Sequence, residues 1–217
     1  MDYKTVLREG IYEFEEKKSV FIGYTKRVEN ENEAKIFIDK IKHKHSDARH
    51  NVYGYIIGKD MMIQRYTDDG EPQGTAGIPI IEVIKKNDLK DIVVVVTRYF
   101  GGTLLGVGGL TRAYVKSASG AIKNSQIANK ILGNNIKIKV NYDLIGKIQY
   151  FFNENKIDVK NIQYEDKVIF EIRCEKNNLE EIKLNIIELT SNNLDIEIGE
   201  DVMYFKSEGK YYLDNEI

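Results

Sequence analysis

The sequence contains few of the residues that stabilise proteins through covalent or metal cross-links. Cys174 is its only cysteine, so a disulfide framework is excluded and a reducing, cytoplasmic setting is expected. The histidines His43, His45 and His50 match no standard zinc-ligand spacing and have no cysteine near them. We therefore expect neither a metal ion nor another cofactor.

Long apolar segments are also absent. No run of about 18 apolar residues occurs, so the sequence predicts no membrane-spanning helix and no membrane partner. The charged N-terminal segment lacks the apolar core of a secretory signal. These absences exclude a membrane protein and a secreted disulfide scaffold from the expected classes.

Length and charge limit the remaining classes. With 217 residues, 42% hydrophobic and 30% charged, the chain can bury the core of one large or two small domains. Basic residues outnumber acidic ones in residues 1–132, whereas acidic residues predominate in residues 133–217. This change of sign predicts two domains with these bounds. A polyanion would prefer the first, although charge alone does not identify a nucleic-acid-binding protein.

Apolar periodicity in the first half predicts a mixture of strands and helices. The β-branched run at residues 91–99 has few polar interruptions, which is typical of a central strand. The predicted strands are residues 19–28, 51–58, 61–67 and 91–99, and the predicted helices are residues 30–45, 80–87 and 109–125.

The second half predicts a β-α-β-β-α-β order, which is the ferredoxin-like arrangement. A strand at residues 136–142 and a helix at 144–155 precede a hairpin at 156–175. A helix at residues 178–190 and a strand at 194–205 complete the order, and we expect the polar tail after them to fray. The fold class predicted for the whole chain is α+β.

Five glycines lie between the predicted central strand and the next helix. They are Gly101, Gly102, Gly106, Gly108 and Gly109. The spacing matches neither a phosphate-binding P-loop nor a dinucleotide fingerprint, so neither a nucleotide hydrolase nor a dehydrogenase is predicted. A tight strand-to-helix corner is one interpretation; an anion site at the helix N-terminus, with Arg98 and Arg112 as donors, is the other.

The polar segment at residues 68–79 contains three candidate acidic residues. Asp68, Asp69 and Glu71 could bind a hard cation, or one of them could act as a general base. The spacing of an EF-hand is absent, and Asp-Gly and Glu-Pro pairs are common in turns, so a solvated turn is favoured. Thr75 is the predicted cap of the following helix.

Arg49 and His50, directly before a predicted strand, are the better candidates for a functional pair than the two earlier histidines. Nothing completes a set of nucleophile, base and orienting group, so no catalytic residue is assigned. Several aromatic residues could stack bases, although strand aromatics more often pack a core. They are Tyr53, Tyr55, Tyr66, Tyr99 and Phe100.

Two segments, "DDGEPQGTAGIPIIEVI" and "VVVVTRYFGGTLLGVGGLTRAY", closely resemble the YigZ/IMPACT family. "SDARHNVYGY" and "EEKKSVFIGY" resemble other segments of the same family. The resemblance covers residues 1–130 as motifs and the remainder as a general plan. It implies a first domain like a ribosomal-protein domain shared with the fourth domain of elongation factor G, and a second domain like the ferredoxin-like domains of elongation factors.

The resemblance also implies a role in translation. Eukaryotic relatives regulate translation during amino-acid starvation by competing for a ribosome-associated activator of a kinase. Our first hypothesis is a non-catalytic regulator that contacts RNA, the ribosome or a ribosome-associated protein through Arg49, Arg65, Arg98, Arg112 and the glycines. The alternatives are a purely protein-binding module and an enzyme acting on a small phosphorylated or acidic substrate, with His50 or Asp69 as base.

Overall fold

The structure is a computed structural model that describes residues 2–217. These residues form an α+β chain that contains two β-sheets and five α-helices. The chain divides into two compact units. The first unit contains residues 3–128, and the second contains Asp2 and residues 129–217.

The first unit is built on a five-stranded sheet with the order β2-β3-β6-β4-β5, in which all neighbouring strands are antiparallel. Its elements are β1 (Tyr3–Val6), β2 (Gly10–Glu16), β3 (Ser19–Arg27), α1 (Glu31–Lys44), β4 (His50–Ile57), β5 (Ile63–Thr67), α2 (Gly77–Lys86), β6 (Ile92–Tyr99) and α3 (Val107–Asn124).

The central strand β6 is apolar because both of its faces are covered. Val94 and Val96 belong to the core that includes side chains of α2 and α3, whereas Val93 and Val95 belong to the core that includes side chains of α1. All four are fully buried. Consecutive side chains point to opposite faces of a strand, so a continuous β-branched run is what two buried faces require.

The N-terminal strands have no counterpart among the predicted elements. β2 is an edge strand that carries Glu13, Glu15 and Glu16, so its sequence looks polar. Tyr12 nevertheless packs against α3, where a Cβ at Gly120 would lie 2.2 Å from its ring. Charged side chains are usual on edge strands, where they discourage pairing with other chains, and here they obscure the strand pattern.

The second unit has its elements in the order β-α-β-β-α-β, with a short strand added at the end. Its sheet order is β11-β10-β7-β9-β8, and all of these pairs are antiparallel. The elements are β7 (Ile127–Val140), α4 (Ile145–Glu154), β8 (Asp158–Tyr164), β9 (Val168–Glu175), α5 (Leu179–Leu189), β10 (Leu194–Ser207) and β11 (Lys210–Tyr212).

The prediction that the polar tail frays is wrong. Tyr211 is buried with Tyr204, and the Glu216 carboxylate holds Arg173 through two hydrogen bonds of 2.6 and 2.8 Å. Arg173 is itself buried in β9 and also donates to the Tyr211 carbonyl at 2.7 Å. The tail is ordered because it satisfies a buried charge to which, among the described residues, only the Glu216 carboxylate is hydrogen-bonded.

Candidate functional site

The glycine-rich segment makes a tight corner between β6 and α3. Gly101 lies against the preceding part of the chain, where its N–H donates to Ser19 Oγ at 3.1 Å and an added Cβ would lie 2.0 Å from the Lys18 carbonyl oxygen. Gly106 is the N-cap of α3 and has a φ of 72°, and Gly102 also has a positive φ. The corner interpretation is therefore correct for these three glycines.

Alanine substitutions distinguish glycines that the backbone of the corner requires from glycines that can be replaced. We expect Gly101→Ala to destabilise the first unit by about 3 kcal/mol, because its Cβ would clash with backbone atoms. Gly108→Ala should stabilise the unit by about 0.5 kcal/mol, since the position is helical and its nearest new contact is 3.5 Å away. Urea unfolding measures both; equal losses of stability would contradict the assignment.

Arg98 is at the centre of a buried polar cluster. Its Nη1 donates to Glu71 Oε1 at 2.6 Å, and only 5% of the Arg98 side chain and 3% of the Glu71 side chain are exposed. The Tyr114 hydroxyl donates to the same oxygen at 2.8 Å. Burial and the Glu71 carboxylate raise the pKa of Tyr114 well above its usual value, so this hydroxyl stays protonated. The charge of Arg98 is thus neutralised inside the protein.

His50 borders this cluster and has a defined orientation. Its Nδ1 donates to the Asp69 carbonyl at 2.7 Å, which leaves Nε2 3.8 Å from Glu71 Oε1. The Asp69 carboxylate accepts from the Asn51 N–H at 2.6 Å. A carbonyl can only accept, so in the neutral ring Nε2 is an acceptor.

Asp68 organises the start of α2. Its carboxylate accepts from the N–H groups of Gly74, Ala76 and Gly77 at 2.8 to 3.1 Å. The prediction that Thr75 caps the helix is wrong, because the Thr75 hydroxyl donates instead to the Pro72 carbonyl at 2.7 Å. The capping side chain is that of Asp68, which lies farther from the helix start in sequence than a usual N-cap residue. Residue spacing alone therefore does not indicate it.

Of the other candidate arginines, only Arg49 lies near Arg98, since both guanidinium groups contact the Phe100 ring. Arg65 lies on the α1 face of the sheet, where it reaches Glu31 at 3.7 Å, opposite to the α2–α3 face that contains Arg98. Arg112 is exposed on α3. Arg49 is also exposed, and its guanidinium lies over the ring of Phe100, with 5.5 Å between the guanidinium carbon and the ring centroid.

Two concave sites flank the corner and share Leu105. One, the corner cavity, has a volume of about 370 Å³. Its lining includes Arg49, His50, Glu71, Arg98, Phe100 and Val107. The other, the basic cleft, has a volume of about 260 Å³. Its lining includes Phe14, Lys17, Leu105, Gly109, Arg112 and Lys116.

The basic cleft contains two residues that the sequence interpretation missed. Lys17 and Lys116 join Arg112 there, and none of the three forms an ion pair within residues 2–217. Lys116 instead lies 4.1 Å from the Phe14 ring centroid. Lys116 could have been found from sequence, because residues four positions apart share one face of a helix. Lys17 could not, since it reaches the cleft through the turn between β2 and β3.

The acidic residues do not form a cation site. Asp68 and Asp69 accept backbone N–H groups and Glu71 neutralises Arg98. Residues 2–217 contain no group of three or more acidic, histidine or cysteine side chains suited to a metal ion. In the same part of the chain no helix has the length and apolarity needed to cross a bilayer.

Comparison with known proteins places the chain among relatives of similar length. A model of the Impact N-terminal domain matches residues 17–122, and a model of a domain of unknown function (DUF1949) matches residues 138–193. The chain is 42% identical to the IMPACT family member YvyE of Bacillus subtilis (strain 168), covering 91% of each chain.

Two further comparisons agree. The IMPACT family member YigZ of Escherichia coli (strain K12) is 27% identical, over 83% of this chain and 89% of its own. A solved structure described as that of a hypothetical protein is 25% identical, with a TM-score of 0.58 over 90% of this chain and 96% of its own. The similarity extends through both units, and the chain belongs to the IMPACT family, which includes YvyE and YigZ.

Proposed function

We propose that this chain is a non-catalytic, translation-associated regulator that binds RNA through the corner of its first unit. The observation that carries the proposal is the basic cleft, where Lys17, Arg112 and Lys116 lie together without ion pairs. Glu16 is the one carboxylate among the lining residues. Cations that form no ion pair are available for phosphates, and their neutralisation drives binding by releasing counterions.

The N-terminus of α3 adds a second source of positive potential. Its N-cap is Gly106, which has no side chain to accept from the free N–H groups, and the first turn contains no acidic residue. Val107 lines the corner cavity and Gly109 lines the basic cleft, so the helix begins between the two. An uncapped helix N-terminus favours an anion through its N–H groups and its dipole.

Binding accounts for these residues better than catalysis. Glu71 is committed to Arg98 and Tyr114, and Asp69 to the start of β4. The observation that favours an enzyme is His50, whose tautomer is fixed and whose ring lines the corner cavity. A small phosphorylated or acidic substrate remains the alternative, and it predicts that His50→Gln abolishes function whereas changes in the basic cleft only weaken it.

The assignment to translation rests on family membership and on the role that the resemblance implies for eukaryotic relatives. A ribosome-associated protein is the competing partner, since those relatives act through a protein contact. Pull-down from lysate with and without nuclease distinguishes the two. We expect nuclease to remove the captured ribosomal material; capture that survives nuclease would instead favour a protein partner.

Salt dependence tests the RNA proposal directly. We expect the affinity for an oligouridine to fall steeply with salt, and the triple variant K17Q/R112Q/K116Q to reduce the slope of log K against log salt by about 2. The control K35Q/K40Q/K42Q removes three lysines of α1 on the other face and should leave the slope unchanged. A flat salt response, or equal effects of the two variants, would overturn the proposal.

A further inference from the structure

We propose that the corner cavity receives one unpaired guanine base from the RNA strand whose phosphates occupy the basic cleft. This inference rests on the proposed function and names the chemistry that the cavity selects. The two sites meet at Leu105, so a strand that places phosphates in the cleft brings its neighbouring bases to the cavity. Its volume of about 370 Å³ is in the range of small-molecule pockets.

The mouth of the cavity suits a flat aromatic ligand. Phe100 is 36% exposed, and the Arg49 guanidinium lies over its ring at 5.5 Å. Both planar groups are exposed, and proteins stack unpaired bases on aromatic rings and on arginine. Leu104 and Val107 provide exposed apolar surface beside them. A base entering here would exchange water for planar and apolar contacts.

The buried lining has unused hydrogen-bonding capacity. Arg98 Nε is buried and has no hydrogen-bond partner in the described residues. Both hydrogen bonds to Glu71 use Oε1, which leaves Oε2 unpaired. His50 Nε2 makes no hydrogen bond, since its closest charged neighbour is 3.8 Å away. Of these three groups, only Arg98 Nε is buried without a partner, where a polar group is normally paired. Glu71 Oε2 and His50 Nε2 are acceptors that no donor in the described residues uses, so the lining fits a ligand that presents two donors.

Guanine has this complement. Its Watson–Crick edge presents two adjacent donors, N1–H and the N2 amino group, beside the O6 acceptor. The donors match Glu71 Oε2 and His50 Nε2. Adenine lacks the N1–H donor, and uracil has a single donor on this edge. An acidic peptide would place a carboxylate against Glu71, which a buried carboxylate disfavours.

Fluorescence anisotropy with the full chain tests the inference. The probes are oligouridines whose central residue is guanosine, inosine, adenosine or an abasic site. We expect guanosine to bind about tenfold more tightly than the abasic probe and several-fold more tightly than inosine, which lacks the N2 amino group. Equal affinities for guanosine and inosine, or for guanosine and adenosine, would overturn the guanine assignment.

Two variants connect the preference to the cavity. Phe100→Ala should reduce the guanosine preference to less than about twofold while leaving the salt slope for the unmodified oligouridine unchanged. Tyr150→Ala removes a more exposed aromatic ring from the second unit and should change neither. If the oligouridine binds with a steep salt dependence but the central base has no effect, the inference fails and the proposed function stands. If the oligouridine does not bind, the proposed function fails.

Discussion

Glu71→Ala is expected to destabilise the first unit by about 4 kcal/mol, because it leaves the buried guanidinium of Arg98 without its carboxylate. Arg98 retains the rings of Phe21 and Phe100, at 5.3 and 5.4 Å, and a long contact of 3.4 Å to Ser19 Oγ. These contacts hold the guanidinium in position but do not neutralise it. The substitution therefore converts a compensated pair into a buried, unpaired charge.

Hydrogen–deuterium exchange of β6 amides in urea measures this loss within the first unit. Tyr114→Phe is the matched control, since it removes one hydrogen bond to the same carboxylate oxygen and should cost only about 1.5 kcal/mol. The double variant Arg98→Met/Glu71→Leu should recover part of the stability, because it removes both charges and keeps apolar volume. A Glu71→Ala cost below that of Tyr114→Phe would show that the pair contributes little.

The second large effect concerns the tail. Glu216→Ala is expected to destabilise the second unit by about 3 kcal/mol, because Arg173 is only 5% exposed and loses its paired hydrogen bonds. Lys160→Ala is the control. Its ammonium also reaches Glu216, at 2.8 Å, but it is 48% exposed and its loss should cost less than about 1 kcal/mol. Exchange of β9 amides reports both values.

The same pair predicts a pH dependence. Hydrogen bonds from Arg173 hold the pKa of Glu216 well below its usual value. A carboxyl whose folded-state pKa is lowered contributes stability that is present above its unfolded pKa, about 4.3, and is lost as pH falls towards the folded value. The second unit of the unaltered chain should lose more stability below pH 4 than the Glu216→Ala variant does. Parallel acid profiles of the two proteins would contradict this.

The sequence allowed much of the α+β fold to be predicted, and the reason is periodicity. The run at β6 and the amphipathic patterns of α1 and α5 are local signals of burial, and the structure contains those elements within a few residues. β2 was missed because only Tyr12 and Phe14 alternate with its glutamates, which is too short a pattern to stand out in a charged segment. The prediction for the tail was wrong because the order of the tail depends on the hydrogen bonds between Glu216 and Arg173, which are 43 residues apart in the sequence.

The candidate site was predicted only in part. The glycines of the corner were visible because a positive φ or a close approach leaves few alternatives to glycine. The sequence did not indicate that the charge of Arg98 is neutralised, because its partner Glu71 is 27 residues away. Arg65 was grouped with Arg98 by charge, yet strand alternation and register place it on the other face of the sheet. Sequence thus identified the corner but not which of its cations are available.

The three N–H groups bound by Asp68 have a consequence for selectivity. These hydrogen bonds hold the segment that carries Glu71 and Pro72 in place in the absence of a ligand. Rearranging this wall of the corner cavity would therefore require breaking them. A ligand that fits incurs little ordering entropy on that side, and one with a different outline is rejected by shape. Leu104 and Val107 are exposed side chains of the same lining, so they can adjust to different groups beside the recognised one.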